Sequence, residues 1–205
     1  MTRRVTVAGL VAGLASRRLA VITGLMWVGT ALVLFVWQGR YSLTAVEIAC
    51  GTGAPDTRFA PVAAETRSFL MDCGEVGLAA YRDLQIIDLL YPAVVGVFLA
   101  SVLALLLRSL TPRAEALALV PLVATAADYA ENACAWVLLA ADPAGTQVAA
   151  ALFQVFSAAK YVTSWAAWLM VIALLVAWVL RWVCARGPLG HFAGSRAPVA
   201  RVLGE

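Results

Sequence analysis

Four apolar runs, each long enough to cross a lipid bilayer, constrain this chain more than any other feature. A helix needs about 20 mostly apolar residues to cross a hydrocarbon core of ~30 Å. Residues 19–38 are uncharged and are bounded by Arg17, Arg18 and Arg40. Residues 84–107 hold one charge, Asp88, and residues 114–140 hold Asp128 and Glu131 well inside the run. Residues 147–183 hold Lys160 as the one interior charge, and the run exceeds a bilayer, so its helix must tilt, bend or protrude. Composition agrees: 63% of the 205 residues are hydrophobic and 13% are charged, about half the charged fraction of a soluble domain. A water-soluble enzyme, a disordered tail and a nucleic-acid binder are thereby excluded. The expectation is an integral membrane protein whose main partner is the lipid bilayer.

The arginines set the expected orientation. With residues 1–18 in the cytoplasm, Arg3, Arg4, Arg17, Arg18, Arg108, Arg113, Arg181, Arg186, Arg196 and Arg201 lie inside. Arg40, Arg58, Arg67 and Arg82 lie outside, sharing residues 39–83 with Glu47, Asp56, Glu65, Asp72, Glu75 and Asp83. Trp178 and Trp182 read as the inner aromatic belt, Trp37 and Tyr41 as the outer one. The first run is longer than the core of a cleaved signal and no small-x-small site follows it, so it reads as a retained span. Residues 5–14 are too short to cross and are expected at the inner interface. The tail, 184–205, is rich in Gly and Pro and reads as flexible. Short connections make sequential spans antiparallel neighbours. The expected fold is all-α: a four-helix transmembrane bundle of the cell membrane, both termini cytoplasmic, with one extracytoplasmic loop.

That loop holds Cys50 and Cys73 on the oxidising side, so a disulfide staple is expected there. It is worth about 3 kcal/mol in the chain-entropy account. The loop's first half, through Gly51, Gly53, Pro55 and Pro61, reads as irregular, and helix is expected from about Val62. Thiol–disulfide catalysis is the rival, but the four-span enzymes of that kind use a C-x-x-C pair and this chain has none. Claudin-like proteins share the topology, yet no tryptophan lies between Gln38 and Asp83.

Asp88, Asp128, Glu131 and Lys160 are the informative residues, because each costs ~2.5–3.5 kcal/mol at a span's centre. Unpaired, the four would cost on the order of 10 kcal/mol, so they must face one another, water or a ligand. Lys160 is the only lysine in the chain. Thr125, Asp128, Glu131, Asn132 and Ala135 share one helical face; Ser157, Lys160, Tyr161 and Ser164 share another; Gln85, Asp88 and Tyr91 line a third. Counting from the hairpins sets Lys160 beside Asp128, whereas counting from the inner belt sets it near Trp136. Either register leaves one outward-facing polar pocket, with Thr23 and Thr30 the only hydroxyls on a greasy first span. Pro92, and Pro121 in the same way, are expected to kink their helices and open room for it.

The runs D-L-L-Y-P (88–92) and D-Y-A-E-N (128–132), followed by a lone membrane lysine at 160, resemble a widespread set of uncharacterised small bacterial four-span membrane proteins. The resemblance covers the second to fourth spans and implies a membrane bundle without a particular activity. From the residues, the site of Asp88, Tyr91, Asp128, Glu131, Asn132, Lys160 and Ser164 reads as a binding site for a lipid, amine or cation, or as a polar network that holds the bundle together. The alternative is an intramembrane acid–base enzyme acting on an outer-leaflet lipid. No cofactor or metal is expected, since the lone histidine, His191, lies in the tail. Four spans without a repeat are few for a transporter, so a transport role would call for a homo-oligomer.

Overall fold

The computed structural model describes residues 6–141 and 146–186; the expectations for the distal tail and His191 fall outside them. In chain order the helices are α1 (Val7–Leu14), α2 (Arg17–Ala31), α3 (Leu43–Cys50), α4 (Ala63–Asp72), α5 (Gly74–Asp88), α6 (Tyr91–Leu110), α7 (Val120–Ala140) and α8 (Gln147–Arg186). A π-helical turn, Leu32–Val36, prolongs α2, and 3-10 segments cover Pro55–Thr57 and Pro112–Leu119. There is no strand among the described residues.

Three stretches are long and apolar enough to cross a membrane: Arg17–Val36, Gly74–Leu110 and Gln147–Arg186. The third apolar run is not among them. Its α-helix starts only at Val120, after the 3-10 segment, and it carries Asp128, Glu131 and Asn132. The expected helix over 114–140 is corrected accordingly, and so is the expected kink at Pro121. That proline lies in the first turn of α7, where no helical hydrogen bond needs its missing N–H.

The loop is more ordered than its glycines and prolines suggest. Ser42 accepts a hydrogen bond from the Ala45 N–H at 3.1 Å and starts α3. Gly51, at φ +70°, ends it in the left-handed conformation that glycine adopts at least cost. The expected irregular first half is thus corrected to a capped helix followed by a 3-10 turn. The Cys50–Cys73 disulfide ties the end of α3 to the junction of α4 and α5. Gly77 faces it: a Cβ there would overlap Cys73 Sγ and lie 2.6 Å from Cys50 Sγ.

Polar contacts fix which ends lie together. At one end, Arg40 makes a two-pronged pair with Asp83 (2.8 and 3.1 Å), and Arg82 donates to the Leu139 carbonyl near the end of α7 (3.2 Å). At the other, Arg181 reaches the Ser109 carbonyl at 3.5 Å. Two apolar cores follow. One gathers Leu34, Val46, Phe69, Tyr81, Leu84, Leu138 and Phe153 beneath the loop helices. The second gathers Val11, Leu99, Leu103, Leu107, Ala118, Ala167 and Val171 towards the arginine-rich end. Along α8, and along α7 with the 3-10 segment before it, the charged residues fall between the stretches that serve the two cores.

Candidate binding site

The site begins with a broken helix. Pro92 has no N–H, so the carbonyl of Asp88, four residues earlier, loses its helical donor. The chain turns through Leu89 and Leu90 between α5 and α6, and Leu90 N–H bonds only three residues back, to Ile87 (2.9 Å). The exposed acceptors are taken by α7. Asn132 Nδ2 donates to the Asp88 carbonyl at 3.4 Å, and Tyr129 OH donates to the Leu89 carbonyl at 2.8 Å. One turn on, Thr125 Oγ1 donates to the Pro92 carbonyl at 3.0 Å. Gly96 allows this approach, because a Cβ there would overlap Thr125 Oγ1 and sit 3.4 Å from the Pro121 carbonyl. D-x-x-Y-P thus makes a break whose carbonyls two side chains of D-Y-x-E-N satisfy.

The other two side chains of that second motif face α8. Lys160 Nζ is ion-paired with Glu131, whose side chain is fully buried, and lies 3.5 Å from Asp128 Oδ1. Lys160 thus stands beside Asp128, as hairpin counting gives. Glu131 and Asn132 are 0% and 1% exposed and sit behind the wall of the site.

In front of them is a cavity of about 300 Å³ lined by Asp88, Tyr91, Asp128, Lys160 and Ser164, together with Asp56, Tyr161, Leu84 and Leu34. That volume falls at the low end of small-ligand sites. Five of the seven expected pocket residues therefore line one cavity, and the remaining two support it from behind. The π-helical turn that prolongs α2 supplies apolar wall through Leu34 and Phe35. Exposed Phe35 and Thr57 stand at the rim, and Phe35 meets the Tyr91 ring edge-on at 5.9 Å. Trp27 Nε1 donates to Tyr91 OH at 3.4 Å, which ties α2 to the broken helix.

Asp56 lines the cavity although no sequence pattern marks it. It was one of six acids in a loop, and only the 3-10 turn at Pro55–Thr57 brings it down into the bundle. It is 8% exposed, Gln85 Nε2 donates to its Oδ2 at 2.9 Å, and its Oδ1 has no hydrogen-bond partner. Burial pushes its carboxyl above the ordinary carboxylate range, against the attraction of Lys160. Its turn is anchored by Ser157, whose Oγ donates to the Arg58 carbonyl at 3.1 Å, and by the packing of Phe59 on Tyr161. The one signal in the sequence was Pro55 ahead of an acid, a common turn start that says nothing about where the turn lands.

Charge does not balance across the site. Lys160 answers Glu131 and Asp128, while no described lysine or arginine is ion-paired with Asp56 or Asp88. Among the described residues no three His, Cys, Asp or Glu side chains converge as they would around a metal ion. The carboxyls are instead distributed around the wall of a cavity. Comparison of the chain with protein-family models, with curated proteins and with solved structures gives no match.

Proposed function

We propose that this chain is a multi-pass membrane protein that binds a small organic amine, as its ammonium, in a pocket open to the outer side. The observation that carries the reading is the excess of carboxyls lining a cavity of about 300 Å³ whose remaining wall is aromatic and aliphatic. An ammonium with a short apolar body fits both parts. Its charge meets the carboxyls, and its carbon atoms meet Leu34, Phe35, Leu84 and Tyr91.

Membrane insertion is supported by the outward faces of the long helices. Val162, Trp165, Leu169, Ile172, Val176 and Val179 on α8, with Val21, Ile22 and Leu25 on α2, are all exposed, a patch that water would not tolerate. We take α7 with its preceding 3-10 segment as a fourth crossing. Together they run alongside α6 and α8, and the 3-10 rise of about 2 Å per residue adds length. The arginine-rich end is placed in the cytoplasm. Lys160 then stands one bilayer thickness above Arg181, about 30 Å along α8, so the carboxyls lie near the outer headgroups and exchange ligand with that side.

The ammonium has two sources, a free amine or the headgroup of an aminophospholipid. Purified protein in nanodiscs of phosphatidylglycerol is heated with and without n-butylamine, and separately in nanodiscs containing phosphatidylethanolamine. The reading predicts a rise of several degrees in the unfolding midpoint with free amine, with the aminophospholipid, or with both. No rise in any arm removes it.

A further inference from the structure

Two carboxyls of the cavity are left over after its internal charge pairing, and they stand on different elements. Glu131 and Asp128 share Lys160. Asp88 closes α5 and Asp56 hangs from the loop, and neither has a cationic partner among the described residues. Asp56 is held rather than mobile. Gln85 fixes one of its oxygens, and the other is buried without a donor while the residue lines the cavity. A carboxyl so enclosed keeps an unmet acceptor until something brings it a donor.

Resting on the amine reading above, we propose that the natural ligand class is the diamine, with one ammonium on Asp88 and the other on Asp56. The aliphatic chain between them lies along Leu34, Leu84 and Tyr91. A single ammonium leaves one of the two carboxyls unanswered. A second ammonium on the same molecule reaches its carboxyl at high effective concentration and adds affinity without a new binding event. Asp56 is then the specificity residue. The loop that carries it is pinned by the Cys50–Cys73 disulfide and by the bond from Ser157 to the Arg58 carbonyl, so the spacing between the carboxyls is fixed and selects chain length.

The test is calorimetric titration of the protein in phosphatidylglycerol nanodiscs, at constant ionic strength. The titrants are α,ω-diamines of increasing length and, for each, the alkyl monoamine of the same length. The proposal predicts that one diamine binds at least tenfold more tightly than its matched monoamine, with a clear optimum in length. It also predicts that Asp56→Asn abolishes the advantage of that diamine over its matched monoamine, and with it the optimum in length. Should Asp56→Asn misfold, Asp56→Glu carries its carboxylate one methylene further into the cavity and is predicted to shift the optimum to a shorter diamine. Monoamines and diamines binding equally to the wild type, with no length optimum, overturn the proposal and leave the amine reading intact. Absence of binding by either series overturns both.

Discussion

Lys160 is the residue on which the buried charges depend, because one ammonium answers two carboxyls on α7. Removing it leaves Glu131 fully enclosed without a counter-charge, a change that costs ~3–5 kcal/mol when a buried pair is broken. Removing Glu131 leaves Lys160 with Asp128, a milder loss. Lys160→Met is therefore predicted to destabilise the protein more than Glu131→Gln, and the double variant to cost less than the sum of the singles by ~1 kcal/mol or more. Thermal unfolding in detergent across the cycle measures this. Asp56 makes a second prediction at this scale. Burial raises its carboxyl, with Lys160 opposing and Asp128 adding repulsion; Gln85 donates to it, and Tyr81, Asp88, Glu131 and Tyr161 are electrostatically coupled to it. A folded-state value raised above the unfolded one means that Asp56 contributes stability fully present below its unfolded value and lost as pH rises through the folded one. In the proposed diamine complex the ammonium on Asp56 requires its carboxylate, so diamine affinity is predicted to rise with pH across the same window. Both slopes are predicted to be shallower in Asp56→Asn, as read by unfolding and titration between pH 4 and 8. The charges at 88, 128, 131 and 160 were legible because an apolar run makes each one conspicuous. Asp56 was not, since a loop acid is the most ordinary residue there is until a turn places it.

At the scale of elements, the two motifs do complementary work. The proline motif breaks a helix and presents carbonyls, and the motif on α7 supplies the donors. Tyr129→Phe removes one bond from a partly exposed carbonyl and is predicted to cost ~1 kcal/mol, and Asn132→Ala somewhat more, because Asn132 is buried. Gly96→Val is predicted to be the harshest of the three, by ~2 kcal/mol or more, since its side chain has no room against Thr125. Denaturation of the three variants side by side checks the order. The helical periodicity that grouped Asp88, Asp128 and Lys160 was readable because it needs only residue spacing. The bond from Asn132 to the Asp88 carbonyl was not, because it joins a side chain to a backbone group freed by Pro92. Helix α3 was within reach, with Ser42 before it and Gly51 after it, but the dense Gly and Pro that follow masked those caps. The late start of α7 was hidden for another reason: an apolar run carries no mark of whether it winds as 3-10 or α.

For the whole molecule, the arrangement is two apolar cores with a charged layer between them, closed over by a disulfide-tied cap. The proposed topology predicts that reporter fusions at positions 60 and 144 read outside, and those at 111 and 195 inside. Two consecutive connections on one side would contradict four crossings. Alkylation of the unreduced protein is predicted to modify Cys184 readily and buried Cys134 on unfolding, with Cys50 and Cys73 protected. The long apolar helices Arg17–Val36, Gly74–Leu110 and Gln147–Arg186 were legible from the apolar runs alone, whereas the placement of Asp56 and Thr57 from the loop in the cavity wall needed the fold. The most direct test of the account is the equilibrium affinity of n-butylamine for the wild type and for Asp88→Asn in identical nanodiscs. The account predicts at least a tenfold loss in the variant with an unfolding midpoint equal to or above that of the wild type. An unchanged affinity would contradict the claim that the unpaired carboxyls of this cavity hold the ligand.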